Sequence, residues 1–279
     1  AYELDVRDSL AGTRYFVDAR DGSLLAVRDL ATHAQGRVYS MNSVETPVPV
    51  DVALPLLDET AVPVRLNGWS GNFAVTNYVS GDTNPNTGVA EYVVEQTVEP
   101  NVGADFLYDP PADVLDPGDA FAQVNLYFHM TSMRAFFEPL GADFTVPSAK
   151  LTAVANVQQN GGPLDNAFFS PAGIEGPFAA GNLIAIGQGS VNDFAYDSDV
   201  FKHEFGHFVS DLEVGYNMGQ AFSDDLGLSP WSGSMDEGIA DYFACSANDD
   251  AELGEGSLGG QIRDLADTSK TCPNDMQGE

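Results

Sequence analysis

The segment Val200-Phe-Lys-His203-Glu204-Phe-Gly-His207-Phe-Val-Ser constrains this chain more than any other. Val200, Phe201, Phe205, Phe208, Val209 and Leu212 recur with helical periodicity, and Ser198 or Asp199 is placed to cap the helix N-terminus. Residues four apart on a helix share one face. His203 and His207 therefore aim two imidazoles at one point, with Glu204 beside them to accept a proton from an activated water. Two imidazoles do not complete a catalytic zinc site, which takes a third protein ligand. The fold must then pack a second element closely against this helix. Gly206 lowers helix propensity by ~1 kcal/mol relative to alanine, and its missing side chain permits such close packing.

The best candidate for the third ligand is Glu237, in Ser234-Met-Asp-Glu237-Gly-Ile-Ala-Asp241-Tyr-Phe-Ala-Cys245. Ile239, Ala240, Phe243 and Ala244 give this stretch an apolar side, so it too reads as a helix. Glu237 and Asp241 are four apart and share a face. One can ligate a metal while the other holds a ligand histidine by its second ring nitrogen, most naturally His203. A rival role is open to Glu237, because Ser234-x-x-Glu237 is also a capping box.

Taken together, His203-Glu204-x-x-His207 and Glu237-x-x-x-Asp241 resemble the gluzincin signature of the thermolysin-like and fungalysin-like zinc metalloproteases. Asn166-Ala167-Phe168 is similar to that family's edge strand lining the substrate cleft. Asp199, four residues before His203, matches a calcium-binding position in many thermolysin-like enzymes. Tyr15-Phe-Val-Asp18-Ala-Arg-Asp21-Gly22 resembles the end of a propeptide. The resemblance implies a secreted zinc endopeptidase with zinc on His203, His207 and Glu237, Glu204 as general base, and Asp241 orienting a histidine. It implies Tyr216 as a donor to the developing oxyanion, and Asn166 and the Ala167 backbone as contacts for a peptide or protein substrate. It also implies Ca2+ beside the Zn2+, with the acidic stretch after residue 247 pairing with Asp199. An inactive zymogen fragment or a non-catalytic, metal-stabilised binding module is the alternative reading.

The implied fold is α+β and zincin-like: an antiparallel β-rich N-terminal part, then helices carrying the zinc site. Residues 1–40 are expected to be a propeptide-like β hairpin with a connector, and residues 41–279 a metalloprotease catalytic domain. Family members continue past the third ligand with a helical half that forms the other cleft wall. This sequence soon ends in the polar run Cys272–Glu279, so the expectation is a truncated domain: either a second polypeptide supplies that half, or the chain is a fragment with weak or no activity.

Along the chain, Tyr2, Leu4 and Val6 alternate with Glu3, Asp5 and Arg7, as in a strand, and Asp21-Gly22 signals a hairpin turn. Residues 31–50 read as a connector. Residues 51–110 read as antiparallel strands, including Val62-Pro-Val64. Residues 117–140 read as a long helix in which His129 is a packed residue. Strands return at 151–157, 166–169 and 183–186. The 42 acidic residues against 11 basic ones, net −31, disfavour nucleic acid and anionic membranes as partners. No apolar run reaches the ~20 residues that span a bilayer. Cys245 and Cys272 are the only cysteines, and export implies that they pair as a disulfide.

Overall fold

The computed structural model describes residues 2–7, 12–29, 33–68, 72–83, 90–159, 162–171, 181–215, 222–224, 227–229 and 231–269. The chain forms two compact units, dividing between Ala34 and Gln35. The first unit is an antiparallel sheet of β1 (Tyr2–Arg7), β2 (Gly12–Val17) and β3 (Leu24–Asp29) in that order. The turn between β2 and β3 lies at the expected Asp21-Gly22. Gly22 takes a φ of +77°, which a side chain would disfavour, and its amide donates to the Asp18 carbonyl at 2.9 Å.

The second unit opens with β4 (Gln35–Val38) and β5 (Val50–Ala53), paired antiparallel. The stretch expected as a connector is thus structured at both ends. Its main sheet is built from β6 (Phe73–Thr83), β7 (Ala90–Glu95), β8 (Leu151–Gln159), β9 (Gly162–Pro163), β10 (Ala167–Ser170) and β11 (Asn182–Gly187). The order is β10-β11-β8-β6-β7, with β9 paired to β8. Val62–Val64 forms no strand.

The class is α+β as expected, and the N-terminal pairs β1-β2, β2-β3, β4-β5 and β6-β7 are antiparallel as expected, but the main sheet also contains parallel pairs. β8 runs parallel to both β6 and β11, while β7 and β10 are antiparallel to their neighbours. The cause is α1 (Ala120–Phe137), which carries the chain from β7 back along the sheet so that β8 enters beside β6 in the same direction. β8 and β11 are nearly continuous buried runs, as central strands covered on both faces must be. Asp119 caps α1 through the amide of Ala122 at 3.1 Å and accepts a hydrogen bond from the Tyr196 hydroxyl. His129 is buried in α1, the packed role expected of it. Among the described residues no helix is long and apolar enough to cross a membrane.

The site rests on α2 (Ser198–Val214) and α3 (Trp231–Asn248). Between them the chain makes the short hairpin β12 (Phe222–Asp224) and β13 (Gly227–Ser229). After α3, β14 (Glu252–Leu253) pairs with β15 (Arg263–Asp264). The N-cap of α2 is Asp197, not Ser198 or Asp199. Its backbone is extended, its carboxylate accepts from the Asp199 amide at 3.1 Å, and the two expected caps lie inside the helix. Phe201, Phe205 and Phe208 are fully buried, with Phe205 and Phe208 packed edge to face at 5.3 Å. An open apolar groove between the C-terminal ends of α1 and α2 and the middle of α3 exposes Leu140, Val214 and Tyr242.

On its other side α2 lies against α3 with no side chain between them at Gly206. A Cβ placed there would come within 2.8 Å of the Ala240 Cα and 3.2 Å of its Cβ. The closer obstacle is backbone, so trimming Ala240 would not relieve it. Gly206→Ala gains ~1 kcal/mol of helix propensity but forces the helices apart, at a cost typically of ~1–3 kcal/mol. We expect the variant to unfold at lower temperature and to bind metal more weakly. Calorimetry showing an unchanged or raised Tm would contradict this account of the helix contact.

Candidate metal centre

α2 presents His203 and His207 one turn apart, their Nε2 atoms 3.0 Å from each other and their ring planes at 89°. α3 sets the Glu237 carboxylate against both: Oε2 lies 3.1 Å from His203 Nε2 and Oε1 lies 3.4 Å from His207 Nε2. α3 begins at Trp231, so Ser234 lies inside the helix and the capping-box role for Glu237 falls away. Each imidazole is held from behind. His203 Nδ1 is 2.7 Å from Asp241 Oδ1, and His207 Nδ1 is 3.0 Å from Asp236 Oδ2. Arg263 Nε lies 2.8 Å from the other oxygen of Asp241.

This arrangement fits a metal ion. A carboxylate can only accept hydrogen bonds, so each aspartate selects the Nδ1–H form of its ring. In the neutral ring the Nε2 lone pair then points inward, at the other lone pair and at the Glu237 oxygens. Acceptors so close repel unless a cation or protons lie among them. The buried group His203, His207 and Glu237 could therefore hold a metal ion.

Burial alone would lower the His203 imidazole. Hydrogen bonds to Asp241 and Glu237, with the Glu204 charge nearby, outweigh it and raise the ring to about 10. His207 is likewise raised to about 9, its burial outweighed by Asp236 and Glu237. Burial would raise the Glu237 carboxyl, but the two imidazoles hold it well below the usual carboxylate range. Glu204 is raised by burial, opposed by the two histidines.

His203 and Glu204 line a cleft with Asn166 and Ala167 on one side and Val200, Leu258 and Arg263 on others. Asn166 is exposed just before β10, the edge strand, and its carbonyl accepts from the Gly187 amide at 3.1 Å. Asp199 is brought not to the metal group but to Asn248 Nδ2, and to the Gly254 amide at 3.3 Å. Burial, with Asp197 and Glu255 close by, pushes it up to about 8. The Lys202 ammonium meets the same Asn248 side chain. A separate acidic group, Glu45, Asp250 and Glu255, gathers nearby without Asp199. Tyr216 lies outside the described residues, as does Cys272, so the expected disulfide lies there too; Cys245 is a buried free thiol. Asp236 and Arg263 were not anticipated from the sequence. Asp236 carried a usable signal, being next to Glu237 on the face toward α2. Arg263 carried none, since it arrives from the segment beyond α3. No known protein-family model matches this chain, and no curated protein matches it.

Protons and a metal ion compete for the same atoms here. In the metal-free chain both imidazoles face Glu237 through Nε2, and their carboxylate partners make them hold a proton more readily than a free ring. Because both rings are raised above the ordinary 6.5, this contact stabilises the metal-free fold in full below about 6.5, and the contribution falls away as pH rises from there through about 9 to 10. Binding at neutral pH should release a proton from each ring, and affinity should climb with pH. Titration calorimetry in buffers of different ionisation enthalpy measures the release. A heat independent of buffer at pH 7 would refute it.

Proposed function

We propose that this chain is an exported zinc-dependent endopeptidase of the thermolysin-like or fungalysin-like gluzincin type, with a zincin-like fold around its helix pair. The observation that carries this reading is the convergence of His203 Nε2, His207 Nε2 and the Glu237 carboxylate beside a cleft bordered by Glu204 and an edge strand. His203, His207 and Glu237 would hold the metal. Two imidazoles and one carboxylate form a donor set that zinc favours. Bound zinc would supply Lewis acidity, acidifying a water molecule and polarising a carbonyl.

The chain's own residues supply the rest. Asp241 fixes the His203 ring through Nδ1, and Arg263 holds Asp241 in turn. Burial raises the Glu204 carboxyl above its ordinary value, which suits a group that must both take and return a proton. Its carboxylate takes the proton of the attacking water and delivers it to the leaving amide nitrogen. β10, at the sheet margin, offers one backbone edge to an extended peptide, so the substrate would bind as an added strand beside Asn166 and Ala167.

Glu204→Gln separates metal binding from chemistry. It removes the proton acceptor and no ligand, so metal content should be unchanged while hydrolysis of a protein substrate such as azocasein falls by ~10²-fold or more. In the native chain a chelator should abolish hydrolysis and zinc restore it. Chelator-insensitive hydrolysis, or a fully active Glu204→Gln, would overturn the reading. A native chain that holds metal and cleaves nothing would instead be a metal-stabilised binding module.

A further inference from the structure

The resemblance read from the sequence implies Ca2+ at Asp199, and the groups around that carboxylate do not fit the ion. Calcium takes about six to eight oxygen ligands at ~2.3–2.6 Å. Asp199 is 3% exposed, and each of its oxygens faces an N–H group instead. Oδ1 accepts from Asn248 Nδ2, and Oδ2 accepts from the Gly254 amide at 3.3 Å. Nor is Asn248 free to turn. Its Oδ1 accepts from the Lys202 ammonium and from the Ser198 hydroxyl, the latter at 3.1 Å. An ammonium only donates, so the amide must give its oxygen to Lys202 and its NH2 to Asp199. Turning the amide to offer an oxygen to an ion at Asp199 would set NH2 against ammonium, donor against donor. A calcium ion at Asp199 and an ammonium at Lys202 therefore exclude each other. Charge points the same way. Asp197 and Glu255 add negative charge around Asp199, and the Lys202 ammonium, on the next turn of α2 and 5% exposed, is set against it.

We propose that Lys202 is the built-in cation of the α2–α3 junction and that, with Asn248 as its bridge to Asp199, it ties the segments together there in place of a calcium ion. The latch joins three parts of the chain. Ser198, Asp199 and Lys202 belong to the first half of α2, Asn248 is the last residue of α3, and Gly254 follows β14. His203 and Asp241 lie between this latch and the close contact of Gly206 with Ala240, so the helix pair is fixed on both sides of the hydrogen bond that holds the His203 ring. A lysine side chain cannot diffuse away or be chelated. The junction therefore keeps its geometry in calcium-free surroundings. Nothing in this depends on peptide hydrolysis, and unfolding of the chain tests it apart from the peptidase reading.

Calorimetric unfolding in excess zinc provides the experiment. The native chain and Asp199→Asn are compared without calcium and with calcium at ~10 mM, above the ~1 mM at which weak extracellular sites fill. Both should show the same shift of Tm on adding calcium, whether that shift is zero or comes from carboxylates elsewhere, such as Glu45, Asp250 and Glu255. Lys202→Met and Lys202→Arg are then compared with the native chain in calcium-free buffer. Lys202→Met should unfold roughly 6–20 °C lower, the scale expected when a buried charge loses its partner in a chain of this size. Lys202→Arg keeps the positive charge and its donors, so its Tm should lie closer to native. A calcium-dependent rise in the native Tm that Asp199→Asn loses would overturn the proposal, and so would a Lys202→Met chain as stable as native. If Lys202→Met does not fold, the calcium response of native chain against Asp199→Asn still decides.

Discussion

Everything at the metal centre depends on how closely α2 can approach α3. Two histidines four apart on α2 aim their Nε2 atoms at one point, but the third group must come from another helix. It reaches that point only if the two backbones nearly touch. Gly206 and Ala240 permit this, a hydrogen facing a methyl where larger residues would hold the helices apart. Asp236, Glu237 and Asp241 lie on the side of α3 turned toward α2 by that contact. Gly206 weakens its own helix by ~1 kcal/mol, a cost offset by the buried phenylalanines on the other side of α2.

The same closeness creates an electrostatic problem. Glu204, Asp236, Glu237 and Asp241 surround the two rings, and among the described residues Arg263 is the guanidinium paired with them, through Asp241. Unneutralised carboxylates in partly buried surroundings cost several kcal/mol each. Two added positive charges largely balance the group, either as a proton on each imidazole or as one divalent ion among the three inward-facing side chains. The centre is thus stable with protons or with a metal, and is strained with neither. That explains why the imidazoles rise to about 10 and 9 while Glu237 falls.

Much of this was legible in the sequence where one periodicity decides the outcome. The 3.6-residue repeat put His203 with His207 and Glu237 with Asp241, and the structure brings His203 and Asp241 to 2.7 Å. Asp236 could have been read by the same repeat, but Ser234-x-x-Glu237 suggested a helix start there, three residues later than the observed Trp231. The cap of α2 was misplaced by one residue for a similar reason, since Asp197, Ser198 and Asp199 all favour that position. Strand direction was not legible. β8 and β11 are buried on both faces, so they lack the alternation that betrays an antiparallel edge. Arg263 was invisible because its place is set by the path of the chain through β14 and β15, a long-range matter with no local pattern.

The parallel pairing of β8 bears directly on the site. An all-antiparallel meander would place consecutive strands side by side. Here β8 enters beside β6 through α1, and β11 then pairs on β8's other side in the same direction. β10, which precedes β11 in the chain, is displaced to the outside and turned antiparallel to it. It becomes the margin of the sheet and packs against α2, with the Glu204 carboxylate near the Phe169 backbone. A strand left at the margin has backbone donors and acceptors that no neighbouring strand takes up. In this topology β10, which pairs with no second strand among the described residues, lies beside the helix carrying His203 and Glu204, and the two border one cleft. An extended peptide pairing with the edge would lie across Glu204 and the group His203, His207 and Glu237 without either element having to move.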